Sequence, residues 1–227
     1  MTDGKLAGGE HERIAIARAV IYRFLSRFFS HPDKDLLELF DSARIEEFLQ
    51  SWRYLGLESL EDIDKAANWL AKWPSQEAAL LELEKEYTRL FITAYPKVVA
   101  PPYSSVYLDK ERLIWGKSTA EAARLYEAAG LGISQDFHDI PDHIAAEMEF
   151  VSHLILEQYR LKQAGVTKTQ ELASIERQFL TDHLFKWASL FFGRVAEYSK
   201  VTFYSGIALL AQKFIEYESK TFGQREC

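Results

Sequence analysis

Residues 141–165 read PDHIAAEMEFVSHLILEQYRLKQAG, and this stretch decides the fold class. Ile144, Met148, Val151, Ile155 and Tyr159 recur at steps of three and four, the period of one helix face. Pro141 stands near the start, where a missing N–H does no harm, and Gly165 lies past the end, where a left-handed cap favours glycine. The same period extends outward in both directions. Ile14, Ala17, Ile21, Phe24, Leu25 and Phe28 share a face, with Arg23 and Arg27 opposite. Shorter patterns cover Leu36 to Phe40, Ile45 to Trp52 and Ile63 to Leu70. Leu80, Leu83, Tyr87, Leu90 and Phe91 follow behind Ser75, a predicted N-cap. Ser118-Thr119-Ala120-Glu121 has the form of a capping box, and Gly130 suits the position after a helix end. Residues 169–199 predict one broken or two consecutive helices carrying Phe179, Leu180, Leu184, Trp187 and Phe191. A last helix carries Phe203, Ile207, Leu210, Phe214 and Tyr217, and its period outweighs the β-flavoured run Val201 to Tyr204. The expectation is an all-α, multi-helix globular domain of about nine or ten helices over residues 11–227. The polar residues 1–10 are expected to form a flexible tail.

Composition agrees. The 227 residues are 48% hydrophobic and 14% aromatic, with only 11 glycines and 6 prolines, too few turn formers for a sandwich or barrel. Acids outnumber Lys plus Arg by 34 to 27, a net charge of −7, which argues against nucleic-acid binding and admits a basic partner. The sole cysteine is Cys227, so neither a disulfide framework nor a cysteine zinc site is expected. No secretory signal opens the chain, and the longest uncharged run, Val201 to Gln212, has 12 residues. A bilayer span needs about 20. The expectation is a cytoplasmic protein with no stable membrane insertion and no cofactor of its own.

Three features carry chemistry. Tyr95-Pro96-Lys97-Val98-Val99-Ala100-Pro101-Pro102-Tyr103 holds three of the six prolines and predicts a stiff, non-helical connection. Such a loop inside a helical domain is a functional candidate. Trp115-Gly116-Lys117-Ser118-Thr119 resembles a P-loop tail, but Glu111 occupies the place of its first glycine and no buried strand precedes it. Asp136 to Glu157 contains six acids and no Lys or Arg. A metal site using His143 with Glu147, or Glu149 with His153, is one alternative. Asp142 as a first-turn helix acid beside an ordinary His143 is another. The third is an acidic surface that binds guanidinium groups of a basic peptide. Neither a Gly-x-Ser-x-Gly elbow nor an activated cysteine is present, so catalysis is not expected. Tyr87, Phe91, Tyr103, Tyr107 and Trp115 are expected in the core by default, Tyr103 and Tyr107 being the best placed for a site.

Six motifs in order resemble the TorD/DmsD-type chaperones: Glu86 to Phe91, Pro101 to Asp109, Trp115 to Thr119, Tyr126 to Leu131, Pro141 to Phe150, and Phe179 to Trp187. The resemblance implies an all-helical cytoplasmic chaperone dedicated to a molybdenum-cofactor enzyme of the dimethyl sulfoxide reductase family. Such a chaperone binds the apo-catalytic subunit, often through its twin-arginine signal peptide, and holds it until cofactor insertion is complete. It also implies Tyr87, Leu90, Phe91, Pro102, Tyr103, Asp142 and His143 as client-binding positions, with Asp142 pairing with signal-peptide arginines. Some relatives form domain-swapped dimers, which admits a homodimer, and some bind guanine nucleotide weakly. One departure is Thr93-Ala94, where many relatives carry Gly-Pro. A helical adaptor with another client and a metal-binding protein built on Asp136 to His153 are the alternatives.

Overall fold

The structure is a computed structural model that describes residues 3–40, 43–57, 59–94, 97–131, 140–166 and 169–224, with side chains between 9 and 222. Tyr95, Pro96, Asp136, His138, Asp139 and Cys227 lie outside the described residues. The helices are α1 (Asp3–Phe29), α2 (Lys34–Phe40), α3 (Ala43–Tyr54), α4 (Glu61–Leu70), α5 (Gln76–Tyr87), α6 (Ser104–Leu108), α7 (Lys117–Ala128), α8 (Ile144–Gln163), α9 (Thr169–Phe179), α10 (Phe185–Tyr198) and α11 (Thr202–Gln224). Two π-helical turns join this series. Thr88–Ile92 continues α5, and Leu180–Leu184 carries α9 into α10, so the described residues form ten continuous rods. The predicted break between 169 and 199 is therefore a widened turn. Both π turns fall where sequence neighbours are buried together, Leu90 with Phe91 and His183 with Leu184.

Helix α1 runs through the middle, packing on α8, α3 and α11. Its burial exceeds one stripe, because Ala19, Val20 and Tyr22 are enclosed along with the expected face. Helical backbone begins at Asp3, so residues 3–10 belong to α1 where a tail is expected from the sequence. Much of the aromatic excess forms one ring network. Phe24 meets Phe48 at 5.3 Å, Tyr22 meets Phe214 at 4.9 Å, and Phe29 meets Phe192 at 5.0 Å. Helix α11 lies between α10 and α4. Gly206 permits the close approach to α4, since a Cβ there would collide with the Asp62 carbonyl. Lys213 then clamps the pair, donating to Asp62 at 2.6 Å.

Helix ends follow local chemistry where local signals exist. Ser75 caps α5 by accepting from the Ala78 N–H at 3.3 Å. Gly130 and Gly165 adopt φ of +82° and +70° and close α7 and α8 with paired back-bonds. In each, the residue after the glycine bonds five residues back, the Schellman arrangement.

Two buried ion clusters were not evident from periodicity. Arg18 donates to Glu218 at 2.6 Å and to Glu176 at 2.8 Å, with Tyr22 also donating to Glu218 at 3.1 Å. This cluster ties α1 to α9 and α11. Glu86 accepts from Arg89 at 2.7 Å and from the Lys200 N–H at 2.6 Å, fastening the end of α5 to the α10–α11 corner.

Candidate functional site

The proline loop and the Pro141-Asp142-His143 motif meet. The Ser104 N–H donates to the Asp142 carbonyl at 3.0 Å, and the Ile144 N–H donates to the Pro102 carbonyl at 2.8 Å. These two bonds set Tyr103 opposite His143 in an isolated antiparallel bridge. The proline pair favours the extended backbone that such a bridge needs, and Pro102 has no N–H to leave unpaired. The two rings stand edge to face at 5.4 Å.

Each residue of the bridge region also serves a helix start. Asp142 lies outside α8, so the first-turn placement expected from Pro141 is corrected. Its Oδ2 accepts the Ser105 N–H at 2.9 Å and the Ser104 hydroxyl at 3.4 Å, which caps α6 from across the junction. His143 is the N-cap of α8, its Nδ1 accepting the Ala145 N–H at 3.1 Å. That bond requires an unprotonated Nδ1. Tyr126 completes the junction by donating to the Pro141 carbonyl at 2.8 Å. Asp142 and His143 are 0% and 2% exposed, Pro102 is buried, and only Tyr103 is half-exposed.

One turn into α8, Glu147 is fully enclosed. One carboxylate oxygen meets His183 Nε2 at 2.7 Å, and the other accepts from Trp187 Nε1 at 2.9 Å. Burial pushes the Glu147 carboxyl up, partly offset by His183 and Trp187. Burial works against a charged imidazole, yet the Glu147 carboxylate, with Glu121 and Asp142 beyond it, holds His183 above its ordinary value. The His143–Glu147 pairing considered for a metal is thus broken up by other partners, while Glu149 and His153 are exposed. Among the described residues, no group of three or more His, Cys, Asp or Glu side chains is arranged to hold a metal ion.

The other predicted positions lie in a separate part of the core. Tyr87, Leu90 and Phe91 are 5%, 0% and 4% exposed at the end of α5 and its π turn. Phe91 packs on Tyr87 at 4.8 Å and on Phe191 at 5.8 Å, and Phe191 packs on Trp187 at 5.7 Å. Rings therefore connect this group to Glu147 through the interior. The Ala100 N–H donates to the Leu90 carbonyl at 3.0 Å, which pulls the proline loop onto the π turn.

The capping box predicted at Ser118 is also corrected. Helix α7 starts behind Gly116, and its cap comes from Asp109, which accepts the Ser118 N–H at 3.2 Å and the Ser118 hydroxyl at 2.6 Å. A Cβ on Gly116 would overlap the Asp109 carboxylate, so the glycine belongs to this clamp and not to a phosphate loop. Trp115, expected in the core, is exposed. Glu147, considered only as a metal ligand with His143, instead pairs with His183 and Trp187, and these two and Asp109 carried no functional expectation from the sequence. A faint signal existed in His183 and Trp187, four residues apart on an inward face.

Fold and junction together define an all-α helical protein of TorD-like architecture. Chaperone protein TorD of Aliivibrio salmonicida is 29% identical over 204 residues, spanning 89% of this chain and 93% of that protein. Chaperone protein TorD of Vibrio cholerae (strain N16961) is 27% identical over 206 residues, spanning 88% and 90%. The crystal structure described as a redox enzyme maturation protein of Archaeoglobus fulgidus aligns with a TM-score of 0.56 at 27% identity, covering 87% of this chain and 93% of that one. Residues 56–193 match the family described as nitrate reductase delta subunit, and the chain belongs to that family.

Proposed function

We propose that the protein is a chaperone for maturation of a molybdenum-cofactor enzyme, acting in the cytoplasm on the apo-catalytic subunit before cofactor insertion and export. The observation that carries this is the likeness to TorD chaperones over about nine-tenths of both chains. Its role is binding without bond-making chemistry, and client release follows from competition or conformational change.

The contact with the client's twin-arginine signal peptide centres on the Tyr103–His143 bridge. Tyr103 offers an accessible ring, while Pro102 and His143 hold it in place. Asp142 Oδ1 is buried with no hydrogen-bond donor among the described residues, and a guanidinium would supply one. Reaching it requires movement of the α6 start, which two backbone bonds and the Asp142 cap hold against α8. Tyr87, Leu90 and Phe91 support the peptide's apolar segment through the loop they anchor.

Titration calorimetry with the client's signal peptide tests this. Asp142→Asn keeps an acceptor for Ser105 but removes the charge, and should weaken binding about tenfold or more, the scale of a lost charge-assisted bond. Tyr103→Ala should also weaken it. Unchanged affinity in both variants would remove the peptide site from the junction. Capture from native host cells tests the wider role, and recovery of some other client in place of a molybdoenzyme subunit would favour a helical adaptor.

A further inference from the structure

Between α6 and α7, Leu113, Ile114 and Trp115 are 65%, 52% and 69% exposed. The other large exposed apolar residues among those described are isolated along the chain. The backbone is strained just before the tripeptide and at its last residue, with Arg112 at φ +53° and Trp115 at φ +66°. Left-handed geometry is costly for an aromatic residue and persists only where the surroundings impose it. The base of the loop imposes it here. Asp109 grips the start of α7 through Ser118, and Gly116 leaves no room for a Cβ against that carboxylate. The three apolar side chains are therefore held outward by a built clamp.

Charge around the tip is opposite to that of the chain. Lys110, Arg112 and Lys117 are exposed, and Glu111 is the only acid from Lys110 to Lys117, in a protein of net charge −7. A tip of three residues is far smaller than the roughly 800 Å² per partner of a stable protein interface. A lipid surface needs no matching pocket. Trp favours the boundary between headgroups and acyl chains, and neighbouring Lys and Arg are drawn to anionic headgroups.

We propose that this tip docks the protein reversibly on an anionic phospholipid surface. Trp115, Leu113 and Ile114 enter the headgroup boundary, and Lys110, Arg112 and Lys117 face the lipid phosphates. Three side chains make a peripheral contact and not an anchor, which agrees with the finding that no described helix is long and apolar enough to cross a membrane. The inference stands apart from the proposed client site and would bring whatever the protein holds to a membrane face.

Co-sedimentation of the full chain with vesicles tests it, using equal parts phosphatidylglycerol and phosphatidylcholine against phosphatidylcholine alone. The parent protein should bind the anionic vesicles and lose that binding near ~0.5 M salt, where charge attraction is screened. Trp115→Asn keeps a residue tolerant of left-handed geometry, and should lower partitioning about tenfold. Arg112→Glu with Lys117→Glu should lower it on anionic vesicles only. Thermal unfolding followed by circular dichroism should be unchanged in both variants. The proposal is overturned if the parent protein ignores anionic vesicles, or if Trp115→Asn binds them equally well. It is also overturned if sedimentation velocity finds a dimer that Trp115→Asn abolishes, since a second copy would then cover the tip.

Discussion

Asp109 organises more than its position in the chain suggests. Its carboxylate caps α7 from nine residues before Ser118, and it makes Gly116 obligatory. Asp109→Ala and Gly116→Ala should each cost about 1–2 kcal/mol, the range of a lost N-cap. Because both remove one interaction, the double variant should cost little more than either single, as chemical denaturation of the four proteins would show. The pattern Ser118-Thr119-Ala120-Glu121 predicted a cap from within because sequence spacing carries no information about a partner folded back from another element. Asp142 shows the same limit. A first-turn acid and an acid one residue before the cap are indistinguishable in sequence, yet the second serves a different helix. His183 offers a test in pH. With its value raised by Glu147, its contribution to stability is complete below about 6.5 and lost as pH rises through the raised value. The raised Glu147 acts in the same sense at lower pH. In Glu147→Gln, burial is opposed only by the weaker pull of Glu121 and Asp142, so the ring should titrate below about 6.5 and stability should rise with pH through that range. Proton resonance titration of the His183 ring reads the reversal directly, and a His183 that titrates identically in both proteins would refute the pairing.

At the scale of elements, the signals that proved legible are those satisfied locally. Ser75, Gly130 and Gly165 end or begin helices where expected because each serves backbone groups within one turn. The hydrophobic period placed α1, α8 and α11 for the same reason. What was not legible is polar and long-range. Arg18 sits among apolar residues of α1, and nothing near it in sequence reveals Glu176 and Glu218 on α9 and α11. Arg18→Met would leave two buried carboxylates without their counter-charge and should cost about 3–5 kcal/mol. Adding Glu218→Leu should recover part of that loss, measured by urea denaturation, because only Glu176, which keeps its bond from Gln158, then lacks its counter-charge. The π turns are a second long-range effect. At Leu180–Leu184 the widened turn places His183 beside Glu147, two residues 36 apart in sequence, and no periodicity signals that meeting.

For the whole molecule, aromatic content, scarce turn formers and helical period were enough to establish an all-α fold, because packing of amphipathic helices depends on pattern more than on any single residue. The candidate site divides more sharply. The meeting of Pro102-Tyr103 with Asp142-His143 was reachable only through family resemblance, and burial of six of the seven positions was not visible in the sequence at all. The resulting picture is a junction of two helix starts, closed by one backbone bridge, that holds Tyr103 at the surface and an under-satisfied Asp142 beneath it. Proposed here is that this junction receives a molybdoenzyme before its cofactor arrives. The most direct measurement is the molybdenum content and activity of each molybdoenzyme in host cells from which this chain has been deleted. One of them should lose most of its activity while its catalytic subunit accumulates without molybdenum, and the restored chain should reverse this. Full molybdenum loading and unchanged activity of every molybdoenzyme in the deletion strain would contradict it.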